Sequence, residues 1–136
     1  MELRVSVRQL VEFILREGSI DNRKSGGPDT AMQEGSRIHK MLQRRMGSDY
    51  HAEAGLKYTW VCAEYNIIIE GRADGIIDSN WEARAQEDIK KESKVVIDEI
   101  KGTYRDLKRI TTPVGVHLAQ AKCYAFMYAS QHHLDQ

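Results

Sequence analysis

Cysteine is scarce in this 136-residue chain. Cys62 and Cys123 stand far apart with no metal-ligand spacing, which argues against a zinc or iron–sulfur framework and predicts free thiols in a reducing cytoplasm. An excess of one charge is also missing: Lys and Arg number 20, as do Asp and Glu, so the formal net charge is zero. Overall charge therefore offers no hold on a polyanion, and any nucleic-acid contact needs a local basic patch. No long apolar run and no charged-then-apolar leader is found, so no membrane span or secretion signal is predicted. The composition that remains, 41% hydrophobic and 29% charged, suits an ordinary soluble protein, and the length suits one domain over residues 1–136 with one core.

The pattern along the chain alternates helix and strand. Ser6 with Gln9 makes a capping box ahead of the apolar stripe Val7, Leu10, Val11, Ile14 and Leu15, which predicts a helix over 6–17 closed by Gly18. Residues 21–28 are polar and glycine-rich, a loop. A second helix is predicted over 29–46, with Ala31, Gly35, Ile38, Leu42 and Met46 inward and His39 at the edge of that stripe. Gly35 is expected to let another backbone approach. The outer face of this helix carries Arg37, Lys40, Arg44 and Arg45, either a solvated surface or a contact for a phosphate backbone.

From His51 the period becomes two, and an antiparallel hairpin is expected: one strand to Val61, a tight connection at 63–66, and a second strand over 67–78. Ile68, Glu70, Arg72, Asp74 and Ile76 are placed on one face of the second strand, with Asp74 beside Gly75 open to a ligand. Residues 79–93 are charged and lack a stripe, which predicts an exposed excursion. The next strand, 94–102, contains Glu99 and Lys101 on one face. A carboxylate there can hold a divalent cation and an ammonium can position an attacking water, although a surface ion pair would have the same spacing. The connector behind it, with Tyr104, Arg105 and Lys108, suits base stacking or a grip on phosphate, or is an ordinary loop. A last helix over 114–131 places His117, Gln120, Ala121, Tyr124 and Tyr128 on one face.

Four short pieces occur in order: Gly35-Ser-Arg-Ile-His39, Gly71-Arg-Ala-Asp74, Ile97-Asp-Glu-Ile-Lys101 and Gln120-Ala-Lys-Cys-Tyr124. Together, over about residues 30–130, they resemble the RecB-type nuclease domain of the PD-(D/E)xK superfamily. The resemblance implies an α+β, restriction-endonuclease-like core with an antiparallel or mixed sheet flanked by helices. It also implies that the last strand of that core lies beyond this chain, which would then be the front part of a longer protein. By the same resemblance His39, Asp74 and Glu99, with the Ile100 carbonyl, would hold Mg²⁺ or Mn²⁺. Lys101 would orient the water, Gln120 and Tyr124 would position lysine, water or strand, and Arg72, Tyr104, Arg105 and Lys108 would meet DNA. Many relatives carry four cysteines around an iron–sulfur cluster; with two here, no cluster is expected.

The expected activity is metal-dependent hydrolysis of DNA, as an exonuclease on single-stranded or end-processed DNA in repair or recombination. A helicase in the same or an associated chain would be the partner. The alternatives are a catalytically silent RecB-like DNA-binding module attached to a helicase, and a small α+β interaction domain. The predicted sheet is three-stranded and antiparallel, with an unpaired edge at the strand of Glu99.

Overall fold

The computed structural model describes residues 1–16, 29–86 and 94–134. Its elements are β1 (Glu2–Ser6), α1 (Val7–Ile14), α2 (Asp29–Arg44), β2 (Tyr50–Val61), β3 (Asn66–Ile77), α3 (Trp81–Ala85), β4 (Val96–Asp98) and α4 (Gly115–His132). A 3₁₀ turn, Leu107–Arg109, precedes α4.

The centre of the sheet is β3, whose Ile67-Ile68-Ile69 run favours an extended backbone. Along one edge β2 pairs antiparallel over the whole strand, from Tyr50↔Ile77 to Val61↔Asn66, so the expected hairpin is present. The other edge is divided. β1 runs parallel to the first half of β3, Glu2↔Asn66 to Ser6↔Glu70, and β4 antiparallel to the end, Gly75↔Asp98 to Ile77↔Val96. Among the described residues, 71–74 therefore have no strand beside them on that edge, and Asp74 sits in the gap.

The expectation of three antiparallel strands is thus corrected to four strands in a mixed sheet. β1 escaped notice because it is short, exposed on Glu2, Leu3 and Arg4, and runs directly into a capping box that marks helix. The strand expected over 94–102 shrinks to Val96–Asp98, so Glu99 and Lys101 follow the strand and are not part of it. Among the described residues β4 pairs only with β3, and the outer edge of β2 likewise has no neighbour.

The capping box forms: Ser6 Oγ accepts from the Gln9 N–H at 3.1 Å and Gln9 Oε1 from the Ser6 N–H at 3.0 Å. α1 is shorter than the apolar pattern suggests. Val7 and Val11 are buried, whereas Ile14 and Leu15 are 65% and 41% exposed. The expected stop at Gly18 and the loop at 21–28 lie outside the described residues. α4 sits with α1 on the sheet, and Val7, Val11, Ala54, Leu56, Ala73, Ile76, Tyr124, Met127 and Tyr128 form one core.

Two further expectations fail here. Ala73 and Ile76 both belong to that core, although three residues apart they fall on opposite faces of a regular strand. The alternation breaks at Glu53 and Asp74, which face each other across β2 and β3 but are skipped by the ladder between Ala52↔Gly75 and Ala54↔Ala73. Glu53 has φ 56°, left-handed backbone in the middle of a strand. Ile76 therefore does not share the face of Arg72, the neighbour of Ala73. The second failure concerns 79–93: its start is not an exposed excursion. Arg84 of α3 and Asp78 are 4% and 1% exposed and form a buried ion pair. Tyr128 donates to the same carboxylate at 2.6 Å, and the Asn80 N–H donates to its other oxygen at 2.9 Å. Residues 87–93 lie outside the described residues.

Glycines make close packing possible, though not where expected. A Cβ on Gly35 would meet open space, so no approach of another backbone explains it. A Cβ on Gly71 would stand 2.7 Å from Tyr124 Cε1 and 2.9 Å from Val7 Cγ2. On Gly75 it would stand 2.0 Å from the Tyr50 ring, so the room over Gly75 is taken by Tyr50, and a ligand cannot reach Asp74 by that side. Gly75→Ala is expected to lower stability by about 1–3 kcal/mol, the usual cost of overpacking, because the ring cannot retreat without losing its bond to Asp98. Urea denaturation measures this, and a midpoint equal to the parent's would contradict the packing described.

Candidate metal centre

β3 delivers Asp74 to the gap in the sheet edge, and three neighbours converge on it. The Ile100 N–H, just past β4, donates to Asp74 Oδ2 at 2.6 Å. His39 Nδ1 on α2 is 3.3 Å from Oδ1. Gln43, one helical turn after His39 and so on the same face of α2, donates through Nε2 to the Asp74 carbonyl at 2.9 Å and to Glu53 Oε1 at 3.0 Å. Ligand atoms of His39, Glu53 and Asp74 lie within 4.8 Å of one another.

Glu99 approaches from the end of β4. Its side chain is 9% exposed and Oε1 takes the Lys101 ammonium at 2.8 Å. Oε2 is buried with no hydrogen-bond partner. Burial raises the Glu99 pKa; the bond from Lys101 opposes this, the Asp74 charge adds to it, and His39 lowers it. Glu99 is thus within electrostatic reach of Asp74 and His39. Glu99 and Lys101 keep the shared side expected of them, because one residue between them preserves alternation beyond the strand.

α4 closes the arrangement. Gln120 and Tyr124, a turn apart, are both buried. Burial, then the charges of Glu99 and Asp74, raise the Tyr124 phenol pKa, and a hydrogen bond with the Arg72 backbone opposes them, so the phenol is within electrostatic reach of both carboxylates. Burial, then the Lys101 charge, lowers the pKa of His117, a turn before Gln120 on the same helix.

The four motif segments therefore meet at one place. His39, Asp74, Glu99, Lys101 and Tyr124 are near one another, Gln120 is buried on the same helix face as Tyr124, and Ile100 contributes its amide N–H, where its carbonyl was the expected contact. The DNA-binding candidates are scattered. Arg72 Nε is bound to Glu53 Oε2 at 2.9 Å. Tyr104 is 86% exposed and donates to Glu34 of α2 at 3.2 Å, while Arg105 and Lys108 are exposed on the connector. Opposite the His39 face of α2, the side chains of Arg37, Lys40, Met41, Arg44 and Arg45 enclose a shallow pocket of about 360 Å³ that contains four cations and no carboxylate.

Sequence reasoning missed Glu53 and Gln43. Gln43 had a signal, its i+4 spacing from His39. Glu53 had none, since its position opposite Asp74 depends on the hairpin register. Comparison with protein-family models, with curated proteins and with solved structures found no match for this chain. Among the described residues, no helix is long and apolar enough to cross a membrane.

Proposed function

We propose that this chain is a RecB-type, metal-dependent deoxyribonuclease domain that hydrolyses phosphodiester bonds. The observation that carries the reading is Glu99 Oε2: a buried carboxylate oxygen with no partner, on a side chain within electrostatic reach of Asp74 and His39. Leaving a buried carboxylate oxygen without a partner is costly even when the other oxygen is ion-paired, and a divalent cation would satisfy it. Two carboxylates and an imidazole suit Mg²⁺ or, with the nitrogen donor, Mn²⁺. When bound, such an ion polarises a phosphoryl oxygen and lowers the pKa of a bound water.

The chain's own residues do the rest. His39, Asp74 and Glu99 supply ligand atoms, and the Ile100 N–H and Gln43 hold Asp74 in place. Lys101, once Glu99 turns to the cation, has an ammonium free to orient water and to stabilise charge on phosphate. Tyr124, pinned over Gly71, confines the strand or the water from the α4 side. The basic face of α2 and the Tyr104–Lys108 connector would give phosphate and base contacts, in keeping with single-stranded or end-processed DNA as substrate; an associated helicase as its source rests on the family resemblance alone. The same basic face also supports a second reading, a silent module that binds DNA without cutting it.

Labelled single- and double-stranded DNA incubated with Mn²⁺ or Mg²⁺ decides between them. The expected result is cleavage that EDTA and Asp74→Asn both abolish. DNA retained but uncut identifies the silent module. Neither binding nor cleavage, by a protein that unfolds cooperatively, removes both readings.

A further inference from the structure

We infer that Glu53 is an additional cation ligand held in reserve by Arg72, so that a divalent cation and the Arg72 guanidinium compete for one carboxylate. The inference builds on the metal-centre reading above and concerns a residue that the four motif segments leave out.

Three independent observations point to Glu53. The first is its backbone. A non-glycine residue at φ 56° within the 12-residue strand β2 is an unfavourable conformation, and such residues persist where the surroundings or a function require them. At Glu53 the excursion interrupts the ladder directly opposite Asp74 and brings the carboxylate toward that residue.

The second is geometry. One ligand atom each from His39, Glu53 and Asp74 fit within 4.8 Å of one another, so an ion among them needs only a small contraction to reach the roughly 2.0–2.6 Å bonds of Mg²⁺ or Ca²⁺-sized cations. The orphaned oxygen of Glu99, on a side chain only 9% exposed, belongs to a carboxylate within electrostatic reach of the same Asp74 and His39. It is a separate sign that the locality is built for a cation.

The third is the way charge is balanced. The centre contains three carboxylates, Glu53, Asp74 and Glu99. Two cations answer them: Lys101 on Glu99 at 2.8 Å and Arg72 on Glu53 at 2.9 Å. Arg72 is the more loosely held, with 70% of its side chain exposed against 43% for Glu53. An exposed pair of this kind is worth little, so a divalent ion displaces it readily. Gln43 keeps Glu53 aimed inward during the exchange, because its amide holds Glu53 Oε1 and the Asp74 carbonyl together. The released guanidinium then stands beside the loaded centre with its donors free, a suitable fork for a phosphate. Cation loading would thereby switch on a DNA contact.

Calorimetric titration of Mn²⁺ into the whole chain tests this without measuring cleavage. Arg72→Ala is expected to bind Mn²⁺ about two- to fivefold more tightly, the scale of an exposed ion pair removed. Glu53→Gln is expected to weaken binding at least about tenfold. In the double variant the gain from Arg72→Ala should vanish, because no carboxylate remains to be released. Thermal unfolding checks that each variant is folded. The inference is overturned if Glu53→Gln binds like the parent while Asp74→Asn does not, or if Arg72→Ala is no tighter; the metal centre itself then still stands. A folded parent that binds no Mn²⁺ overturns both.

Discussion

Lys101→Ala should slow DNA cleavage by about 10²–10³ while leaving Mn²⁺ binding intact or stronger, since removing one preorganised group that stabilises developing charge has that typical effect. The direction of the binding change follows from the ion pair. In the parent, Lys101 holds Glu99 Oε1 at 2.8 Å while Oε2 has no partner. Without the ammonium both oxygens of a nearly buried carboxylate lack a cation. The metal-free variant should therefore be less stable than the parent, and Mn²⁺ should raise its melting temperature by more than it raises the parent's. The ammonium is partly exposed, which moderates the loss. Cleavage assays, calorimetry and melting with and without Mn²⁺ are the measurements. Cleavage at the parent's rate would remove Lys101 from the reaction, and equal Mn²⁺-induced shifts would separate Glu99 from the cation.

Arg84→Met should cost about 3–5 kcal/mol at neutral pH, the loss expected when one member of a buried ion pair is removed. Against a total stability of roughly 5–15 kcal/mol this is enough to bring the domain close to unfolding. The substitution preserves apolar bulk and removes the guanidinium from Asp78, whose side chain is fully buried. Burial alone would raise the Asp78 pKa; the bonds from Arg84, Tyr128 and the Asn80 backbone outweigh it and hold the carboxyl below its usual range. A carboxylate with a depressed folded pKa contributes stability above its unfolded pKa, near 3.9, and loses it as pH falls through the folded value. In Arg84→Met the burial is opposed by fewer donors, so the folded pKa rises and protonation relieves the penalty. The stability gap between variant and parent should therefore narrow as pH falls from 7 toward 4. Urea denaturation at the two pH values measures the gap. A gap that widens toward acid would mean that Asp78 does not bear the lost charge interaction.

The two predictions concern residues of different legibility. Lys101 was visible in the chain because its chemistry is local: one intervening residue places it on the side of Glu99, and this persists although the strand ends before either residue. The capping box at Ser6, the hairpin of β2 and β3, the His39 helix and the Gln120–Tyr124 helix were legible for the same reason. Each depends on periodicity or on contacts three or four residues apart. Arg84 was not legible. A charged segment without a stripe has the composition of solvent-exposed chain, and only the approach of Tyr128 from α4 and of Asp78 from the end of β3 makes burial of its guanidinium tolerable.

Long-range pairing decided the remainder. The parallel partnership of β1 with β3 joins residues about as far apart as Ser6 and Glu70, and five residues with little burial contain no signal of that partner. The same pairing, stopping at Glu70 while the pairing of β3 with β4 begins at Gly75, opens the gap in which Asp74 meets Ile100, His39 and Gln43. Glu53 is the clearest case. Along the chain it is one of 20 acidic residues, with no motif around it; its left-handed backbone, its place opposite Asp74 and its bond to Arg72 exist only once β2 has taken its register on β3. The sequence by itself determined which chemical groups are present and which helices and strands carry them, because those depend on local periodicity. Which of the carboxylates share a centre was decided by the tertiary structure, because register across a sheet is set by the packing of the whole core.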